Sequence, residues 1–499
     1  MNIWISTFER SLIGILPELF LFAALSALLL FGAFTSEKKK NLKSSIIVSR
    51  LVGKIRILIL IITRLIIINR PFESQTFFHN RILINPFIQI TKLVIVIGRA
   101  LLIWISLDYI KTERINAFEY IILKLFACLG MMLLISSQDL IVFYLAIEIQ
   151  RLSLYALAAF NQNSAFSTES GLKYFILGAF SSGLLLFGAS MIYGFRGTTN
   201  FEELTVFFSG IDYISPGLCL GIFCLRAALL FKISAAPFHA WAPDVYEGAP
   251  ISVTAFFSIL PKFAVIIFCC RFFFFTFYDM FNIWQPIILC TALISIVVAA
   301  FSALYQRKLK RFLAYSSIGH VGYMLLAFGT GTSEGLQSIL VYIFIYLITS
   351  ICVWSFILSL NLRKDNKNKK PFFISELNGL GVSNPLLAFT LTVIIFSIAG
   401  TPPLAGFIAK LNIFFCAIES SLFVLSFLGI ITSCLSAFYY LRFIKIMYFD
   451  ASKSWTLVDK IDKDKSIFIG ASLFFLVLLF IFPSPLFILS HEIAVWVLV

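Results

Sequence analysis

The stretch LLFKISAAPFHAWAPDVYEGAP, residues 229–250, decides the fold. It puts Lys232 at the end of a long apolar run, with Pro237 five residues later. A charge in hydrocarbon is costly, and a proline in a helix interior removes a backbone donor and clashes with the preceding turn. The two are tolerable together where a helix stops in mid-membrane and its freed backbone groups face protein or water. The stretch therefore reads as a broken transmembrane helix built around an ionisable group. A lysine near a helix end can also snorkel to the headgroups, and that plainer reading stands beside the first.

The chain around it is a membrane chain. Of its 499 residues, 60% are hydrophobic and 13% charged, and the mean hydropathy is +0.97. A soluble domain carries about 25% charge. A span needs ~20 apolar residues. Apolar segments predict fourteen spans: 12–34, 46–68, 83–107, 115–136, 138–160, 171–195, 214–238, 250–278, 283–305, 312–330, 336–360, 385–418, 422–449 and 466–490. The expected fold is an all-α polytopic membrane protein. The second segment, with Arg50, Lys54, Arg56 and Arg64, reads alternatively as a basic amphipathic surface helix. The first is too long for a signal-peptide core and lacks a cleavage site.

The net charge is +14, from 39 basic and 25 acidic residues. In a membrane protein such an excess marks loops held on one side, and no nucleic-acid partner is expected. Four basic stretches occur: SEKKKNLK (36–43), QRKLKR (306–311), RKDNKNKK (363–370) and residues 453–465. They follow spans 1, 9, 11 and 13, so fourteen spans put them on one face. The positive-inside rule places that face in the matrix or cytoplasm and both termini opposite.

Ionisable residues inside the spans mark candidate sites. Glu148 lies about ten residues into DLIVFYLAIEIQRLSLYALAAF, roughly 15 Å deep at 1.5 Å per residue. Lys262 is near mid-span in ISVTAFFSILPKFAVIIFCC, too central to snorkel easily. Lys410 lies in GTPPLAGFIAKLNIFF, just after Pro402 and Pro403. Spans 7 and 12 thus each hold one lysine beside a proline break, the pattern that points to a transport site. There a lysine can lose its proton when dry and regain it beside a carboxylate. Glu148 is expected to approach Lys232, directly or through one water. Its plainer reading is an ion pair with Arg151, three residues on along the same helix face. His239, His320 and Lys173 read equally as proton relays and as structural or snorkelling residues.

Nine cysteines lie almost all in apolar runs, with no CxxC, and read as small buried hydrophobes. No GxGxxG, P-loop or haem-type CxxCH occurs. The chain is expected to hold no redox cofactor and no metal.

Four stretches carry a resemblance: GLKYFILGAFSSGLLLFGASMIYG, FKISAAPFHAWAPDVYEGAPISVTAFFSILPK, KRFLAYSSIGHVGYM and GTPPLAGFIAKL. They resemble the antiporter-like membrane subunits of respiratory complex I, NADH:ubiquinone oxidoreductase. The match spans roughly residues 112–490, with 40–111 matching poorly, and its texture looks more mitochondrial than bacterial or plastid. The resemblance implies fourteen helices with two inverted five-helix repeats. Residues 1–111 would form helices 1–3, 112–278 the first repeat, 279–449 the second, and 450–499 a basic loop and last helix. It implies a proton path through Glu148, Lys232, Lys262 and Lys410, with other membrane-arm subunits and lipids as partners. NADH, FMN, iron–sulfur clusters and ubiquinone would act elsewhere in the complex. Lys124, Arg151 and Arg226 put charge where that family has small or apolar residues. A free-standing cation/proton antiporter, or a scaffold whose charges only specify packing, are the competing readings.

Overall fold

The computed structural model describes residues 9, 11–37, 42–113, 118–210, 215–364, 367–450, 458 and 461–498. Parts of three basic loops, residues 38–41, 365–366 and 451–457, lie outside the described residues.

In lipid a backbone must satisfy its own polar groups, so apolar runs become helices. The runs read from sequence do so. The first six are α1 (Leu16–Glu37), α2 (Leu42–Ile68), α3 (Pro86–Thr112), α4 (Phe118–Ser136), α5 (Leu140–Ala158) and α6 (Ala165–Arg196). The broken seventh gives α7 (Pro216–Ile233) and α8 (Trp241–Gly248), followed by α9 (Ile251–Arg271). Then come α10 (Phe281–Leu304), α11 (Leu309–Phe328) and α12 (Ser333–Ser359). The twelfth run is split into α13 (Pro385–Ala399) and α14 (Ala405–Glu419), before α15 (Phe423–Tyr448). The last run gives α16 (Lys463–Ile481) and α17 (Ser484–Leu498). Ten described helices are long and apolar enough to cross a membrane, or eleven if the bent pair at the C-terminus is one span.

α2 is not among those ten, yet it packs against α1, α3 and α4 and buries Arg56, Ile59, Leu60 and Ile67. It belongs to the bundle rather than lying on it as a lone surface helix. The last segment departs from the expectation of one continuous span. It bends by 82° between Lys465–Ile481 and Ser484–Val497. Pro483 and Pro485 at the bend account for it, because proline supplies no N–H and disfavours helical geometry in the residue before it.

The chain divides into two compact units, Met1–Lys232 with Gly248–Met280, and Ile233–Glu247 with Phe281–Leu498. The main boundary falls between Met280 and Phe281. The surprise is residues 233–247, which group with the second unit. Their charges show what holds them there. Glu247 pairs with Lys308 and with Arg311 (3.4 Å), and Asp244 pairs with Arg311 at 2.7 Å.

Within the first unit, α4 and α9 are fastened at both ends. At one end Lys124 Nζ donates to the Ser252 carbonyl at 3.3 Å, and the Tyr120 and Ser252 hydroxyls share a short hydrogen bond. At the other, Arg271 donates to the carbonyls of Ile135 (2.7 Å) and Ser137 and to the Gln138 side chain (2.7 Å). The early residues of α4 meet the early residues of α9, so the two helices run parallel, as helices separated by four crossings should. A face of stacked rings, with Phe143 and Phe268 at 4.4 Å, packs α5 against α9. Every residue of α9 is buried.

Candidate functional site

In the first unit the site begins on α5. Asp139 caps this helix, its carboxylate accepting from the Ile141 N–H at 2.9 Å. Glu148 and Arg151, three residues apart on one face, form an ion pair. Arg151 also donates to the Gly178 carbonyl at 3.0 Å and to the Ser182 hydroxyl, both on α6. The side chains of Arg151 and Glu148 are 10% and 15% exposed, so the pair is largely withdrawn from solvent.

Lys232 occupies the last turn of α7, beside the negative end of that helix's dipole. Its Nζ has no hydrogen-bond partner among the described residues. Glu148 attracts it and Arg151 repels it. Lys232 thus makes no direct hydrogen bond to Glu148, whose carboxylate pairs with Arg151, the plainer of the two expectations for it. The reason is geometric, since a guanidinium one turn along the same helix reaches the carboxylate without any help from tertiary packing. After Ile233 the helix stops, Ser234 takes a left-handed φ of 60°, and Pro237 lies exposed in the interruption.

Lys262 is 2% exposed in the middle of α9. Pro261, beside it and inside the helix, supplies no N–H. The carbonyl of Phe257, four residues earlier, thus loses its usual helical donor next to the lysine. Lys173 stands apart from this group, with a half-exposed side chain paired to Glu169 at 2.7 Å.

The second unit builds its site on the α13–α14 interruption, where Pro402 and Pro403 are exposed. Lys410, the sixth residue of α14, reaches back across the gap and donates to the Ala399 carbonyl at 2.6 Å. Ala399 ends α13, so its carbonyl is one of the orphan acceptors of a helix terminus. Lys410 is 6% exposed, and its Nζ lies 5.1 Å from the Tyr323 ring centroid. Gly400, with φ 79°, turns the chain here, and a Cβ on it would fall 2.7 Å from Lys410 Cδ.

A small cavity joins Lys410 to His320, lined also by Ser316, Tyr323, Thr432 and Ser436. It measures about 10 Å³, at the threshold for one water molecule. His320 is 9% exposed and shares a 2.7 Å hydrogen bond with the Tyr342 hydroxyl. The cavity thus lies between Lys410 and His320, and His320 continues it to Tyr342 by a hydrogen bond. His239 is partly buried in the interruption after α7 and is not among the groups lining this cavity. Tyr323 and Ser436 were not singled out from sequence. Tyr323 was legible as the polar residue one turn beyond His320, whereas Ser436, on α15, carried no local signal.

The description NADH:quinone oxidoreductase/Mrp antiporter, transmembrane, matches residues 137–436. The chain is 44% identical to the NADH-ubiquinone oxidoreductase chain 2 of Marchantia polymorpha over 98% of its own length and 99% of that protein. It is 43% identical to NADH-quinone oxidoreductase subunit N of Pelagibacter ubique, covering 95% of this chain and 97% of the relative. Its structure superposes on a chain of respiratory complex I from Thermus thermophilus with a TM-score of 0.78 and 27% identity, over 94% of this chain and 98% of that one. The likeness runs well beyond residues 112–490 and takes in most of the N-terminal stretch. The chain belongs to the NADH:quinone oxidoreductase/Mrp antiporter family of membrane proteins.

Proposed function

We propose that the chain is the chain-2 (subunit N) type membrane-arm subunit of a proton-translocating NADH:ubiquinone oxidoreductase, in the mitochondrial inner membrane. Four relatives sharing 39–44% identity over 96–99% of their own lengths are named NADH-ubiquinone oxidoreductase chain 2 or NADH-quinone oxidoreductase subunit N. Other subunits of that complex are its partners, and lipids cover its outer helix faces. The redox groups belong to other subunits, and this chain handles protons. Ten of its fourteen helical runs, the fourth to the thirteenth, form two inverted five-helix repeats, with the basic loops on the matrix side and both termini opposite.

The observation that carries the mechanism is the meeting of each break with a lysine. Lys232 sits at the negative end of its own half-helix, and Lys410 caps the end of the preceding one. Each lysine has a place for its charge and a route for its proton. In the first unit Glu148 draws a proton toward Lys232, and Arg151 limits how strongly. Lys262 receives it on the wholly buried helix α9. In the second unit the cavity passes it between Lys410 and His320. A carboxylate near a lysine favours the charged form, and weakening that influence favours release.

Lys262→Met in the intact enzyme tests this reading. The variant should assemble and still oxidise NADH with an artificial acceptor. Protons moved per NADH by sealed vesicles should fall several-fold. Normal pumping per electron pair would remove Lys262 from the path.

A further inference from the structure

The first unit buries more cations than the path above uses. Two of them are lysines, and they differ sharply. Lys92 on α3 is bound to Glu18 on α1 at 2.5 Å, with both side chains 4% exposed. That pair is a locked structural contact. Lys124 on α4 is as deeply buried, at 3%, but has no carboxylate among the described residues. Its Nζ has one carbonyl, that of Ser252 at 3.3 Å, and lies 4.1 Å from the centroid of the Tyr120 ring.

The neighbours of Lys124 oppose its charge. Arg56 on α2 and Arg99 on α3 are 2% and 1% exposed, and both repel it. Arg99 lies over the Phe256 ring at 4.8 Å, and its Nε and one terminal nitrogen lack acceptors among the described residues. Each helix packed on α4 can be checked for a balancing group. On α1, Glu18 is taken by Lys92. On α3, the Tyr109 hydroxyl accepts from the Ile251 N–H at 3.2 Å. On α5, Glu148 is taken by Arg151. On α9 the ionisable groups are Lys262, Arg271 and two cysteines, none of them an anion partner here. On α4 itself Tyr120 and Cys128 are neutral groups with high intrinsic pKa values, and Glu119, in the first turn, is exposed. Arginine cannot give up its proton within proteins, whereas lysine can. Of the three buried cations, only Lys124 can relieve the repulsion by changing protonation state.

We propose that Lys124 is a further proton-carrying residue, exchanging its proton with the Tyr120–Ser252 hydroxyl pair at the start of α9. The carbonyl and the aromatic face hold the ammonium while it is charged, and burial without a carboxylate makes that charge costly to keep. The step is a relay: a hydroxyl of the pair, or a water beside it, passes a proton to the Nζ lone pair as it takes another from its own hydrogen-bond neighbour, and the ammonium returns a proton along the reverse path. Ser252 lies ten residues before Lys262 on α9, roughly 15 Å along the helix. Lys124 therefore feeds the same helix that carries the central lysine.

The inference rests on the proton-translocating reading, which Lys262→Met tests independently in the same vesicles. The discriminating pair is Lys124→Met and Lys124→Arg in the assembled enzyme, read as protons moved per NADH. Arginine keeps charge and length but cannot release the proton. Both variants should assemble and both should lose at least half of the pumping stoichiometry. Tyr120→Phe, which removes one hydroxyl of the pair, should lose part of it. Restoration by arginine would show that only the charge matters and would overturn the proposal. Normal pumping in the methionine variant would overturn it as well. Failure of both variants to assemble would make Lys124 a structural residue and end the proposal.

Discussion

The two helix interruptions solve one problem by different means. At the first, control is electrostatic. A carboxylate and a guanidinium from α5 act on a lysine whose own nitrogen has no hydrogen-bond partner among the described residues. At the second, control is steric and direct. Lys410 lies along Gly400 and bonds the last carbonyl of α13. The left-handed residue differs accordingly. The first break tolerates Ser234 at φ 60°, while the second uses Gly400 at φ 79° because the lysine's alkyl chain occupies the space of a side chain. A pair of related breaks can therefore tune one kind of residue, by remote charge in one case and by close packing in the other.

Substitutions at three places press on this contrast, and the largest effect is expected at the charged break. Glu148→Gln leaves the Arg151 guanidinium largely buried and unpaired. Breaking such a pair costs about 3 kcal/mol, so the yield of assembled enzyme on native gels should fall. Arg151→Gln in the same chain should restore assembly, because no lone charge remains, without restoring full pumping. Normal assembly of Glu148→Gln alone would show that the pair carries little weight.

Gly400→Ala comes next. An L-residue held in the left-handed region costs about 1–2 kcal/mol, and the new methyl must push Lys410 off the Ala399 carbonyl. Assembly should fall modestly and pumping more steeply. Equal losses in both would mean that the backbone, and not the lysine contact, is what matters.

The smallest effect is expected for Ser234→Gly. Glycine relieves the left-handed strain but gives up chain entropy and the 2.6 Å bond from the Ser234 hydroxyl to the Ile233 carbonyl. These nearly offset each other, and the net change should stay below about 1 kcal/mol. Assembly and pumping should match the parent chain. A large loss would make the first break as closely packed as the second and erase the distinction.

Much of this was readable without coordinates. Helical runs follow from unbroken apolar stretches, and both lysine-bearing breaks follow from Pro237, Pro402 and Pro403, because these effects act within one turn of chain. Glu148–Arg151 was also readable, as a local pair at i and i+3. What escaped notice depends on which helices meet. Nothing near Glu18 announces Lys92, 74 positions away. Arg271 could not be assigned to the end of α4 from its own surroundings. The grouping of residues 233–247 with the second unit depends on Lys308 and Arg311, which look like ordinary basic-loop residues in sequence. Pro261 is visible in the sequence, but a single proline in an apolar helix gives no sign of what will surround the carbonyl it frees.

The double fastening of α9 carries a mechanical consequence. A rod pinned near Ser252 and again at Arg271 cannot slide or roll without breaking contacts at one end. Lys262 lies between the pins, ten residues from one and nine from the other. Its backbone is held at both ends within a fully buried helix, so its amides should exchange with deuterium slowly. Any working stroke at this position must then be small in scale: rotation about the lysine's own side-chain bonds and reordering of whatever surrounds its tip, with the helix serving as a stationary mount.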